Sequence, residues 1–137
     1  MATTSAANGK SRGSRAASAK AVPAVKVSDG TIKRLSEVFR LLADEHRLKI
    51  LLALAHGGEL HVSALCELLK QSQPAVSHHL SLMRARDLVG YRRDGKHNYY
   101  YVQSGLIRDL LEQFFADAGN GHKQLQFEEF VLAYRRR

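Results

Sequence analysis

The sequence predicts an α+β domain, mainly helical with one small β-hairpin, and three observations carry that prediction. From Thr31 to about Arg86, apolar residues recur at helical spacing in successive short segments. After Asp87 the spacing switches to near alternation, in "LVGYRR" and "HNYYYV" around Asp94-Gly95-Lys96, with Asp-Gly at the turn. Helical spacing then returns in "LIRDLLEQFFADA". A two-stranded ribbon is not stable alone. Attached to a pair of helices joined by a tight turn, it is a wing, so the expected architecture is a winged helix–turn–helix.

The elements follow in order. "TIKRLSEVFRLLAD" places Ile32, Leu35, Val38, Phe39 and Leu42 on one face of a first helix. Asp44 caps the second, "EHRLKILLALAH", whose apolar face is expected to be Leu48, Leu51, Leu52 and Ala55. Gly57-Gly58 stops it. In "ELHVSALCELLK", Ser63 is the expected cap of a short third helix carrying Leu65, Cys66, Leu68 and Leu69. After the turn "KQSQ", Ser72 caps a fourth, with Pro74 in the first turn, where a missing amide hydrogen costs little. Gly119-Asn120-Gly121 breaks the helix that follows the hairpin, and the tail "HKQLQFEEFVLAYRRR" is expected to form one more.

The fourth helix has two unlike sides. At about 100° per residue, Val76, His79, Leu80 and Met83 share an arc that packs on the preceding helix. Gln73, Ser77, His78, Ser81 and Arg84 fall on the other arc, and Ser72 opens it. Hydroxyls, amides, imidazoles and guanidinium groups are the side chains that meet base edges and phosphates. No acid interrupts Gln71 to Arg86. Such a helix suits the major groove of DNA. The hairpin repeats the theme: Arg92, Arg93, Lys96 and His97 gather near its tip, with Asp94 the one acid in sight, and suit backbone phosphates or a minor groove. Tyr100 and Val102 are expected to face the core with Val89, and Tyr99 and Tyr101 the other way.

Composition agrees. The 137 residues carry a formal charge of +8, which favours a polyanionic partner. No apolar run is long enough to span a membrane. The single cysteine, Cys66, excludes an internal disulfide and suits a reducing compartment, so a cytoplasmic location is expected. Residues 1–28, rich in Ala, Ser, Gly and Lys/Arg and free of acids, are read as a disordered basic arm. A transit peptide shares that composition. Residues 29–118 are expected to form the DNA-binding domain, and 119–137 the tail.

Three stretches, "LADEHRLKILLAL", "LCELLKQSQPAVSHHLSLMRARDLV" and "YRRDGKHNYYYV", together resemble the ArsR/SmtB-type winged helix–turn–helix repressors, over about residues 31–117. The resemblance implies a homodimer that binds an imperfect palindrome in double-stranded DNA near a promoter and blocks transcription. It also implies an interface made by the first and last helices of the domain, at 31–42 and 106–117. The candidate interface residues are Leu35, Phe39, Leu106, Ile107, Leu110, Leu111, Phe114 and Phe115, whose apolar area exceeds what one small domain needs.

Many members of that family release DNA on binding metal. Where one site type has a Cys-Val-Cys segment, this chain has His61 and Ser63, with only Cys66 remaining beyond it. Where another begins with Asp-x-His, it has Ser104-Gly105-Leu106. Redox sensing in the family takes two cysteines, and this chain has one. No metal or other cofactor is therefore expected, and the inducer is left open. The alternatives are an atypical metal site around His61 and Cys66, joined by His56 and Glu59, and a winged-helix module that binds protein instead of DNA. An enzyme is not expected: no Gly-rich phosphate loop, carboxylate pair or Ser/His/Asp arrangement is present.

Overall fold

A computed structural model describes residues 22–119 and 124–135. Helix α1 (Asp29–Leu42) and α2 (Glu45–Gly57) lead into a two-residue strand β1 (Leu60–His61). Helices α3 (Val62–Leu69) and α4 (Gln73–Ala85) follow, then β2 (Val89–Asp94), β3 (His97–Val102) and α5 (Gly105–Ala118). The described chain closes with β4 (Gln124–Phe127) and β5 (Phe130–Ala133).

The core forms where the helices meet the base of the wing. Ile50, Leu54, Leu65, Val76, Leu80, Met83, Leu88 and Val89 are almost wholly withdrawn from solvent. Burying each such side chain contributes about 1.5–3 kcal/mol. Caps set the helix boundaries as expected at Asp44, Gly58 and Ser72. Gly58 takes φ +77°, and its N–H donates to the Leu54 carbonyl. Helix α5 ends at Ala118 with Gly119 as its cap.

Several expectations change. The α3 cap is His61, not Ser63: its imidazole accepts from the Ser63 amide, because β1 carries the chain in an extended path as far as His61. On α2 the inward residues are Ile50 and Leu54, while Leu48 and Leu52 are exposed. That helix is apolar on nearly every side, so periodicity alone selects no face. On α1, Leu35 and Val38 are buried, but Ile32 and Phe39 are exposed. The folded body begins before Asp29: Val27 is buried and Ser28 caps α1 through its hydroxyl. Residues 1–21 of the expected arm lie outside the described residues.

The tail forms a second hairpin in place of a helix. Gln124, Leu125 and Gln126 pair with Ala133, Leu132 and Val131, and Glu128 turns the chain at φ +48°. Alternation in "QLQF" and the β-favouring run "FVLA" outweigh the helical reading. Tyr134 fastens this hairpin to α5, stacking on Phe115 at 6.2 Å and donating its hydroxyl to Glu112.

The wing is a three-stranded antiparallel sheet in the order β1-β3-β2. Asp94 pairs with His97, so the loop itself is Gly95-Lys96, with Gly95 at φ +61°. A residue with a Cβ is strained there. Strand β1 pairs Leu60 with Tyr100 and His61 with Tyr99, tying the wing to the start of α3.

Candidate nucleic-acid interface

Helix α4 is built as the sequence anticipates. Val76, Leu80 and Met83 are buried, and Gln73, Ser77, His78, Ser81 and Arg84 are exposed. Ser72 accepts from the Ala75 amide at its N-terminus. The preceding turn depends on Lys70, a left-handed residue at φ +51°, whose N–H returns to the α3 carbonyls. That geometry brings the two helices together at a tight corner.

A polar brace from α2 supports the buried side of α4. The Arg47 Nε donates to the Leu41 carbonyl at 2.6 Å, and its Nη1 lies 3.4 Å from His79 Nδ1. His46 Nε2 meets the Gln71 amide at 3.1 Å, just before the α4 cap. His79 is thus a hydrogen-bonded, half-buried histidine, and burial lowers its pKa. The Arg47 amide, donating to Asp44 Oδ1, holds that carboxyl below its ordinary value. The spacing "DEHRL" carries the cap signal, but the reach of His46 to Gln71 spans twenty-five positions and has no local signature.

The wing's cations are not equivalent. Arg93 donates to the Gly95 carbonyl, and Lys96 is exposed at the tip. Arg92 contradicts the expectation that only Asp94 balances this cluster: its Nε lies 2.6 Å from Glu59 Oε2. Asp94 is the weaker partner at 3.8 Å, and the guanidinium sits 4.9 Å above the Tyr99 ring. The hydrogen bond to Glu59 raises the Arg92 pKa. Pairing of β1 with β3 brings Glu59 there, and no local pattern reveals it. His97 is also engaged, with Nδ1 3.0 Å from His61 Nε2. Tyr99 therefore has a role that sequence left unassigned, and so does Tyr91, over which Arg84 lies at 4.3 Å. Tyr91 joins the front of α4 to the wing.

The alternative metal site is not assembled. Glu59 is paired with Arg92, and His61 with Ser63 and His97. Among the described residues no group of three His, Cys, Asp or Glu side chains could hold a metal ion. Cys66 is half-buried against the core. No described helix is long and apolar enough to cross a membrane.

The candidate dimer residues divide by burial. Leu35, Leu110 and Phe115 are already buried within one chain, because α1 and α5 pack against each other. Phe39 is 55% exposed, and Leu106, Ile107, Leu111 and Phe114 are half-buried, so these five supply the open apolar surface.

Comparison with known proteins agrees with this geometry. The profile of the bacterial regulatory proteins of the arsR family matches residues 44–91, from the α2 cap to the first half of the wing. An uncharacterized HTH-type transcriptional regulator of Methanocaldococcus jannaschii is 31% identical over 80 residues, 58% of this chain and 90% of that one. The arsenical resistance operon repressor of Escherichia coli is 48% identical over 64 residues, 47% of this chain and 55% of its own. Among solved structures, the homodimeric winged helix–turn–helix DNA-binding domain of a possible ArsR-family regulator from Mycobacterium bovis superposes with a TM-score of 0.51. Its identity is 26%, covering 69% of this chain and 83% of that domain. With the polar front of α4, the buried back and the three-stranded wing, these likenesses lead to one conclusion: the chain belongs to the arsR family of bacterial regulatory proteins and is a DNA-binding transcriptional regulator.

Proposed function

We propose that the chain is a repressor that binds an imperfect palindrome as a homodimer, one α4 in each of two successive major grooves. The observation that carries this reading is the exposed, acid-free front of α4 standing on a back whose Val76, Leu80 and Met83 are buried. Gln73, Ser77, His78, Ser81 and Arg84 read base edges, while Ser72, Arg93, Lys96 and His97 meet phosphates. Arg92 contributes once Glu59 releases it. The E. coli relative is a repressor and the M. bovis domain is homodimeric, which supports the same reading here. The open residues on α1 and α5 suit a two-fold interface, which sets the recognition helices about 34 Å apart. Transcriptional control by a compact DNA-binding body also accounts for the absence of catalytic groupings in the sequence.

Selection of bound genomic fragments, followed by gel-shift titration, tests this. Ser77→Ala or His78→Ala should cost about 1–3 kcal/mol on the selected site and far less on random duplex. Equal losses on both would remove α4 from base reading.

A further inference from the structure

The strongest feature outside the base-reading helix is a pair of imidazoles joining the first helix of the helix–turn–helix to the wing tip. His61 lies at the end of β1 and caps α3. His97 opens β3, beside the Gly95-Lys96 loop. Their rings meet edge to face at 4.6 Å, with His61 Nε2 and His97 Nδ1 3.0 Å apart.

Hydrogen-bond direction determines where the protons sit. The Ser63 backbone N–H can only donate, and it points at His61 Nδ1 from 3.2 Å. The Ser63 hydroxyl is 2.6 Å from the same nitrogen. His61 Nδ1 is thus an acceptor, which puts the ring proton on Nε2. Nε2–H then donates to His97 Nδ1, so the His97 proton lies on its own Nε2. That arrangement leaves His97 with an outward N–H donor at the wing tip. The neighbouring groups are Tyr99, opposite His61 in the sheet and 5.6 Å from its ring, Asp94, opposite His97, and the Glu59–Arg92 ion pair. Together these contacts tie β2 and β3 to β1 and the start of α3.

We infer that the His61–His97 hydrogen bond is a latch that sets the wing against the helix–turn–helix and orients the His97 N–H toward a DNA phosphate, which makes His61 a positioning residue for DNA binding. It rests on the reading that the wing meets phosphates. His61 itself touches no DNA in this arrangement. It acts through His97 and through the placement of Arg93 and Lys96.

The test separates the cap from the latch. Asparagine is a good helix cap, but its side chain is too short to replace the imidazole reaching His97. His61→Asn should keep helix content and thermal stability near those of the parent, yet weaken operator binding about fivefold, the effect of losing one hydrogen bond. His97→Ala should weaken it at least as much, because it removes the phosphate donor as well as the latch. The double variant should be no weaker than His97→Ala alone, because His61 acts only through the contact that His97→Ala already removes. Hydrogen exchange of the wing amides should quicken in His61→Asn. Its dependence of log K on log salt should flatten toward that of an Arg93→Ala/Lys96→Ala control. If that control weakens binding while His61→Asn does not, or if the two single effects multiply, the latch is refuted and the wing reading stands. If the control itself binds like the parent, the wing makes no phosphate contact and the proposal falls with that reading.

Discussion

Removing the Asp44 side chain should destabilise the fold by about 2 kcal/mol. Helix α2 begins with amide groups that have no partner inside the helix. Asp44 Oδ1 accepts two of them, from His46 at 2.9 Å and Arg47 at 3.1 Å. Loss of an N-cap acceptor costs typically about 1 kcal/mol, and up to about 2. The negative charge at a helix N-terminus adds about 0.3–1 kcal/mol. With a urea m-value of about 1.5 kcal/mol/M for a small domain, Asp44→Ala should lower the midpoint by roughly 1 M. The midpoints must be compared at one chain concentration, since dimerisation would contribute to stability. Asp44→Asn keeps the acceptor and should lose only the charge contribution.

The pH dependence follows from the sign of the shift. The Arg47 amide holds the folded Asp44 carboxyl below its ordinary value. Its contribution is therefore complete above the unfolded value of about 3.9 and is lost as pH falls through the folded one. The gap between parent and Asp44→Ala should stay constant from neutral pH to about 5 and narrow below 4. Circular dichroism during urea titration reads all of this. An Asn variant as damaging as the Ala variant, or a gap that persists undiminished in acid, would overturn the capping argument.

Four further outcomes are expected. Burial lowers the His79 pKa, so in acid the unfolded chain binds the extra proton more readily. Stability should therefore decline as pH falls below about 6.5, and His79→Gln should remove that part of the slope in chemical denaturation. Leu80→Ala, at a site with no solvent exposure, should cost about 2–5 kcal/mol by the same assay. Glu59→Gln should free Arg92 and strengthen binding to cognate and random duplex alike, with the salt slope steeper by about 0.9. A slope matching the parent's would show that Arg92 stays clear of the phosphates. Phe39→Asp should shift sedimentation toward a single chain while leaving helix content intact, because Phe39 is outside the protomer core. A variant that still sediments as a dimer would exclude α1 from the interface.

Sequence alone determined the elements whose causes are local. The Asp44 and Ser72 caps, the Gly58 stop, the Gly95 turn and the two sides of α4 each arise from residues within about one helical turn, or from strict alternation along a strand. Those same local features specify the winged helix–turn–helix order and the exposed polar side of α4. Where local rules were degenerate, they chose wrongly or not at all. Helix α2 is apolar nearly all round, so its neighbours selected Ile50 and Leu54 over Leu48 and Leu52. In the tail the alternation of QLQF and the β-favouring run FVLA outweighed the helical reading, and Tyr134 fastens the resulting hairpin to Phe115. Only tertiary structure decided the contacts between distant residues: Glu59 with Arg92, His46 with Gln71, His61 with His97 and Arg84 with Tyr91. Their partners lie between seven and thirty-six positions apart. Charge neutralisation and hydrogen-bond pairing depend on distance in space, and chain folding alone brings such residues together.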